Sequence, residues 1–393
     1  MTALTGSFGG ARSPEPATAW LRTVSPVLDD ERWARAAWTR VAEPGDAQAI
    51  ELVERLGAGA ALAALADPVE AHHLVLRDRA IGVDFEALRR FADVSGLRVL
   101  IPGDDDWPPG LADLDAAPIA LWVKGPGEIA RWCERSVAIV GSRASTSYGA
   151  ALSCDIAAGM AGAGFTVVSG AAYGIDAQAH VGALSVDGST LAVLAGGVDR
   201  LYPAGNARLL TRIAEVGALI SEVCPGGAPT KPRFLQRNRL IASMTKGTVV
   251  VEANLRSGSL NTARTAARLC RPVGAVPGPV VSPTSAGCHQ LIRDGQAVLV
   301  TDAAEAMELV GQLGRDAAPR PSAPVRIEDE LDPLDRTVLA VVPFRAAVTA
   351  DQVCRSAAVP PAQARAALAR LELLELVTRR GDRWRKVGAG ATS

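Results

Sequence analysis

Seven short apolar runs punctuate the middle of this 393-residue chain, and their spacing leaves few folds open. They are Val137–Val140, Thr166–Val168, Leu191–Leu194, Ala218–Ile220, Thr248–Val251, Val273–Val276 and Ala297–Val300. Each is too short for a buried helix and lacks the alternation of a half-exposed strand. Most lead into a Gly, Ser or Pro loop and then a helical pattern. Strands buried on both faces and joined by helical crossovers make a doubly wound α/β sheet, mostly parallel. Leu97–Pro102 and Ile119–Val123 predict a strand or two more at its front edge. Few aromatics (4%) among abundant Ala, Gly and Val suit close helix-on-sheet packing.

The flanks read differently. Residues 1–24, with several Gly and Pro and no apolar run, are expected to be a disordered leader and not a signal peptide. Residues 25–95 carry short amphipathic helices. Their Leu56-Gly57-Ala58-Gly59 turn either presents amides to a phosphate or is only tight. Residues 311–330, rich in Pro and Ala, predict a linker. Three helix patterns follow, at 333–341, 349–357 and 360–372, then a hairpin bearing Arg379, Arg380, Arg383, Arg385 and Lys386. That is a winged helix over 331–388, suited either to a DNA backbone or to a protein partner. No apolar stretch approaches the ~18 residues that span a bilayer. Six scattered cysteines and four histidines without ligand spacing predict reduced thiols, a cytoplasmic location, and neither metal nor cofactor.

Charge supplies the functional clue. The first 130 residues hold 20 Asp and Glu against 12 Lys and Arg, whereas Lys231 to Arg271 holds nine basic residues and one acidic, Glu252. A net charge of −1 thus conceals a concentrated positive field, as a polyanion site needs. The loops at the strand ends complement it: Gly141-Ser142-Arg143, Ser169-Gly170, and Arg256-Ser257-Gly258-Ser259 opening a helix. Small residues at helix starts leave backbone N–H groups free for anions. Arg143, Lys231, Arg233, Arg237, Arg239 and Arg256 add charge, and Phe234 or a nearby tyrosine offers a base-stacking surface.

Nucleotide enzymes fit less well. The loop after the first parallel strand lacks Gly-x-Gly-x-x-Gly, and no Gly-x4-Gly-Lys-Ser/Thr loop exists, which argues against NAD sites and Walker-type ATPases. The strongest rival is a base-releasing nucleotide hydrolase using Glu252. Glu252 and Asp176 also read as helix-capping or arginine-paired carboxylates, His180 as a satisfied structural histidine, and Asp199, Tyr202 and Asn206 as loop-ordering groups.

Taken in order, several motifs resemble the DNA-processing protein A (DprA/Smf) family. They are Ala138-Ile-Val-Gly-Ser-Arg143, Ser169-Gly-Ala-Ala-Tyr-Gly-Ile-Asp176, Tyr202-Pro203, Phe234 with Arg237-Asn238-Arg239, Val251-Glu252-Ala253 with Ser257-Gly258-Ser259, and Ala275-Val-Pro-Gly278. Phe234-Leu-Gln-Arg departs from the commoner Phe-Pro-x-Arg, and His289 stands where Asn is frequent. The resemblance implies an extended Rossmann domain over 96–310 between a small helical (SAM-like) domain and the winged helix. It further implies a homodimer that binds and protects single-stranded DNA without catalysis and loads RecA recombinase, also where single-strand-binding protein is present. Arg143, Ser169, Gly170, Arg237, Asn238, Arg239, Ser257 and Ser259 match family positions expected to contact DNA. Ser142, Lys231, Arg233, Arg256 and Gly258 join them by charge and placement.

Overall fold

A computed structural model describes residues 16–68, 70–80, 83–319 and 330–387. Two compact units divide between Pro319 and Arg320.

The larger unit is built on a nine-stranded sheet. Its strands are β1 (Leu97–Leu100), β2 (Leu121–Lys124), β3 (Ser136–Val140), β4 (Thr166–Ser169), β5 (Thr190–Val193), β6 (Ala218–Ser221), β7 (Thr248–Val250), β8 (Val273–Ala275) and β9 (Val298–Leu299). The order is β1-β2-β6-β5-β4-β3-β7-β8-β9. All seven predicted runs form the parallel part, and β1 and β2 add an antiparallel edge beyond β6. The pleat splits their side chains between two cores. Val137 and Ile139 face the helices Ser147–Gly162 and Ile175–Ser185, while Ala138 and Val140 face Lys231–Ser243 and Ser259–Arg268. From β3 the chain moves outward through β4, β5 and β6, then returns to the other side of β3 with β7. Strand order therefore reverses between β3 and β7, where loops diverge and leave a crevice.

Short helices cover the front edge. Pro16–Val24 is a helix, which corrects the expectation of disorder across the whole of residues 1–24; residues 1–15 lie outside the described residues. Trp20 is buried and its indole N–H donates to the Leu62 carbonyl at 2.6 Å. Sequence composition hid this because Trp20 and Val24, the residues that anchor the helix, are separated and form no apolar run. Asp30, Asp46 and Asp84 cap the helices Glu31–Val41, Ala47–Leu56 and Phe85–Val94. Packing requires glycine at position 59, where a Cβ would lie 2.1 Å from the Leu28 carbonyl oxygen. Trp33 meets Trp122 of β2 edge-on, with ring centres 6.2 Å apart.

The segment read as a linker begins packed. The Asp316 carboxylate takes two hydrogen bonds from the Arg135 guanidinium, at 2.7 and 2.9 Å, and 320–329 lie outside the described residues. The smaller unit has helices Pro333–Val341, Ala350–Ala357 and Pro361–Leu373 and a three-stranded sheet of Val348–Thr349, Arg383–Lys386 and Val377–Arg380. Thr349 and Gln352 form the capping box that starts the second helix. Trp384 of the wing closes a core with Leu339, Leu368 and Leu371.

Candidate nucleic-acid interface

At the β3/β7 reversal lies a groove of about 700 Å³. One wall is the loop after β3, Gly141 to Ala144; another is Asn254 to Ser259 after β7; the helix Lys231–Ser243 forms the third. That helix offers Lys231, Phe234, Leu235, Arg237, Asn238 and Ile241, one face by helical periodicity. Thr230 caps its start by accepting from the Arg233 amide, and Ser257 and Ser259 share a 2.7 Å hydrogen bond where the helix Ser259–Arg268 begins. Two helix N-termini, with their partial positive charge, therefore open onto the groove.

Arg143, Lys231 and Arg256 line this groove, are exposed, and have no carboxylate partner among the described residues. Arg143 is held nonetheless, its guanidinium carbon 4.5 Å from the centre of the Phe234 ring. These charges remain available to an outside anion.

Arg237 sits beneath them as part of the floor. It is buried, donates to the Val193 carbonyl at 2.6 Å and to the Asn238 side chain at 3.2 Å, and Asn238 in turn donates to the Gly258 carbonyl. Burial pushes its pKa down to about 10, with Asp176 opposing, so it stays cationic at neutral pH. Burial pushes the Asp176 carboxyl up, against Arg237 and the amides of Ala172, Gly141 and Gly170. Gly170 is required by this packing: a Cβ there would lie 1.9 Å from Nη1 of Arg237.

Four residues expected along one basic rim, Ser169, Gly170, Arg233 and Arg239, do not line the groove. Arg233 donates from Nε and Nη2 to Glu43 at 2.8 and 3.0 Å, binding the N-terminal helices to the groove helix. Arg239 places Nη2 on both Glu222 oxygens, at 2.6 and 2.7 Å, and Nη1 on the Ala116 carbonyl at 2.7 Å. Ser169 is buried, its hydroxyl donating to the Ile139 carbonyl. On a helix Arg239 stands about 200° from Arg237, so one run of charge was divided between opposite faces. Gly170 borders a smaller niche beside the groove, shared with Phe234 and Arg143 and lined also by Tyr173, Arg200 and Tyr202.

Known proteins share the sequence and fold on which this groove is built. A family model described as DNA recombination-mediator protein A matches residues 98–311, more than half of the chain, and a DprA winged helix domain matches 306–383. A putative DNA processing protein DprA from Mycobacterium tuberculosis is 43% identical over 395 residues, covering 93% of this chain and 97% of that protein. The chain belongs to the DprA family. The DNA processing protein DprA of Streptococcus pneumoniae is 41% identical over 198 residues, half of this chain and 69% of that one. The X-ray structure of DprA from that species superposes with a TM-score of 0.60 at 31% identity, over 71% of this chain and 96% of the other.

Within this DprA chain the carboxylate a hydrolase would need is engaged elsewhere. Glu252 is buried and accepts from the Thr146 amide at 2.9 Å, the Thr146 hydroxyl at 2.6 Å and the Thr284 hydroxyl at 3.2 Å. It braces the helix Ser147–Gly162 and does not line the groove. His180 is a buried structural histidine as expected, but only half satisfied. The Thr190 hydroxyl donates to the Val167 carbonyl and so accepts from His180 Nδ1, while Nε2 has no partner among the described residues. Burial drives its pKa to about 3, leaving the ring neutral. Asn206 orders its loop as expected, donating to the Ala171 and Ala172 carbonyls. Arg200 lies outside the basic cluster and was not singled out in the sequence, and Tyr173 stood there only as part of the motif that precedes the helix Ile175–Ser185.

Proposed function

We propose that this protein binds single-stranded DNA in the groove between β3 and β7 and acts as a recombination mediator without a catalytic step of its own. One observation carries the reading: three exposed cations without carboxylate partners among the described residues, Arg143, Lys231 and Arg256, face one groove together with two helix starts. Phosphates take these charges, the Gly258 amide and the Ser257 and Ser259 hydroxyls, with Asn238 and the Arg237 charge supporting the floor. Such contacts position a strand without reading its sequence. A groove closed by walls on three sides admits a flexible strand more readily than a rigid duplex. Because Arg233 and Arg239 are engaged internally, about three phosphates are neutralised, and log K should fall with log salt at a slope of about −2. Family membership supports the wider role: shielding strands, loading RecA recombinase in exchange for single-strand-binding protein, and working as a homodimer in the cytoplasm.

Fluorescence anisotropy of a labelled oligothymidylate across a salt series tests the site. Wild type is expected to bind it above duplex DNA, and Arg143→Ala with Arg256→Ala should bring the slope to about −0.7. Salt-insensitive affinity, or unchanged binding by the double variant, would overturn the assignment. For the wider role, RecA filament growth on strands coated with single-strand-binding protein should be faster in its presence.

A further inference from the structure

Phe234 is a poor sole platform for a base. Arg143 occupies one ring face, Arg237 lies 5.9 Å from its centre, and Tyr202 stands 6.0 Å away at a tilt of 55°. The free aromatic surface lies beside it. Tyr173 and Tyr202 are each 49% exposed, although neither is needed to fill a core. With Arg200, exposed and without a carboxylate partner among the described residues, they line the niche adjoining the groove.

We propose that this niche is a base-stacking subsite. One unstacked base of the strand lies against Tyr173 and Tyr202, and a flanking phosphate rests on Arg200. This deepens the strand-binding reading and rests on it. It carries the strand from the groove mouth across the loops that follow β4 and β5.

The platform is built in advance. The Tyr173 hydroxyl accepts the Gly205 amide at 3.2 Å, and a Cβ on Gly205 would meet that hydroxyl at 2.6 Å, so the glycine admits the ring. Asn206 ties the same loop to the Ala171 and Ala172 carbonyls, which fixes the two tyrosine-bearing loops to each other. Rings fixed before binding lose little freedom when a base arrives. At about 40 Å³ the niche is too shallow to engulf a nucleotide, and it suits the face or edge of one flat ring. Recognition is therefore by stacking, which tolerates any base.

The test separates bases from phosphates by comparing oligothymidylate with an abasic oligomer of equal length and charge. Wild type should prefer the base-bearing strand by about five- to a hundredfold. Tyr173→Ala with Tyr202→Ala should abolish most of that preference while binding the abasic oligomer unchanged, and Tyr173→Phe should retain it. With this subsite filled, Arg200 adds a fourth phosphate contact, so the slopes given above each steepen by about 0.7, and Arg200→Gln should remove that increment on both oligomers. The subsite is refuted if wild type binds both strands equally, or if the tyrosine variants keep the preference. If neither strand binds, the strand-binding reading falls and this inference goes with it. Melting temperatures close to wild type confirm that the half-exposed rings were removed without unfolding.

Discussion

Removing Arg239 should damage the fold and leave the groove charges in place, the reverse of what its position in a basic run suggests. The Arg239 and Glu222 side chains are only 11% and 8% exposed and are joined by contacts of 2.6 and 2.7 Å. Glu222 also accepts the Gly45 amide, so the pair joins the N-terminal helices, the segment at Ala116 and the end of β6. Arg239→Ala leaves a carboxylate buried without its counter-charge and the Ala116 carbonyl without its donor. Breaking a buried pair from one side costs about 3–5 kcal/mol, which corresponds to a melting point lower by roughly 5–15 °C in a domain of this size. Burial already raises the Glu222 pKa, and losing the opposing Arg239 charge raises it further. A carboxyl whose folded pKa is raised gives stability that is full below the unfolded value and lost as pH rises through the folded one. The variant's deficit should therefore be greater at pH 8 than at pH 5. Calorimetry at both values, with anisotropy on the folded fraction, is the assay. Near-native melting with lost oligonucleotide binding would show that Arg239 serves DNA, and the partition of the run would be wrong. Arg239→Met with Glu222→Gln should restore a good part of the stability.

Other perturbations separate floor, anchor and tether. Gly170→Ala drives a methyl into the Arg237 guanidinium and should cost about 1–3 kcal/mol with weakened strand binding, read by melting and anisotropy. Trp20→Ala opens a cavity against Leu62 and should cost about 3–5 kcal/mol in a denaturant titration; a disordered leader would give no change. The Arg233 guanidinium holds the Glu43 carboxyl below its usual value. Its contribution is then present above the unfolded pKa and lost as pH falls through the folded one. Glu43→Gln should remove this acid-side dependence while costing well under 1 kcal/mol at neutral pH, since Glu43 is 44% exposed.

Most of the architecture was legible because burial on both faces leaves a distinct mark: unbroken apolar runs between Gly and Ser loops. The seven parallel strands followed from such runs, although β9 at the edge is exposed, and the three helices of the winged unit followed from their helical patterns. The crevice followed as well, since strand ends gather ligands whatever the sequence. What stayed hidden was direction. Arg233, Arg237 and Arg239 are neighbours in the chain, but a helix points them to Glu43, to the groove floor and to Glu222. A helical projection from Lys231 through Phe234 and Asn238 to Ile241 would have separated the groove face. The acids that claim the other two arginines lie at sequence separations of 190 and 17 residues, one of them in a region with no motif. The tyrosine niche was legible only as a tyrosine somewhere near Phe234, because its two rings come from separate loops whose closeness depends on Asn206 and Gly205.

The guanidinium of Arg143, parked against a phenyl ring, has a consequence for kinetics. A long cationic arm waving in water must be caught and straightened by each incoming phosphate, whereas this one is already aimed. Encounter should then proceed at a rate governed by diffusion and ionic strength, and a smaller residue at Phe234 should slow capture even if that ring never touches a base.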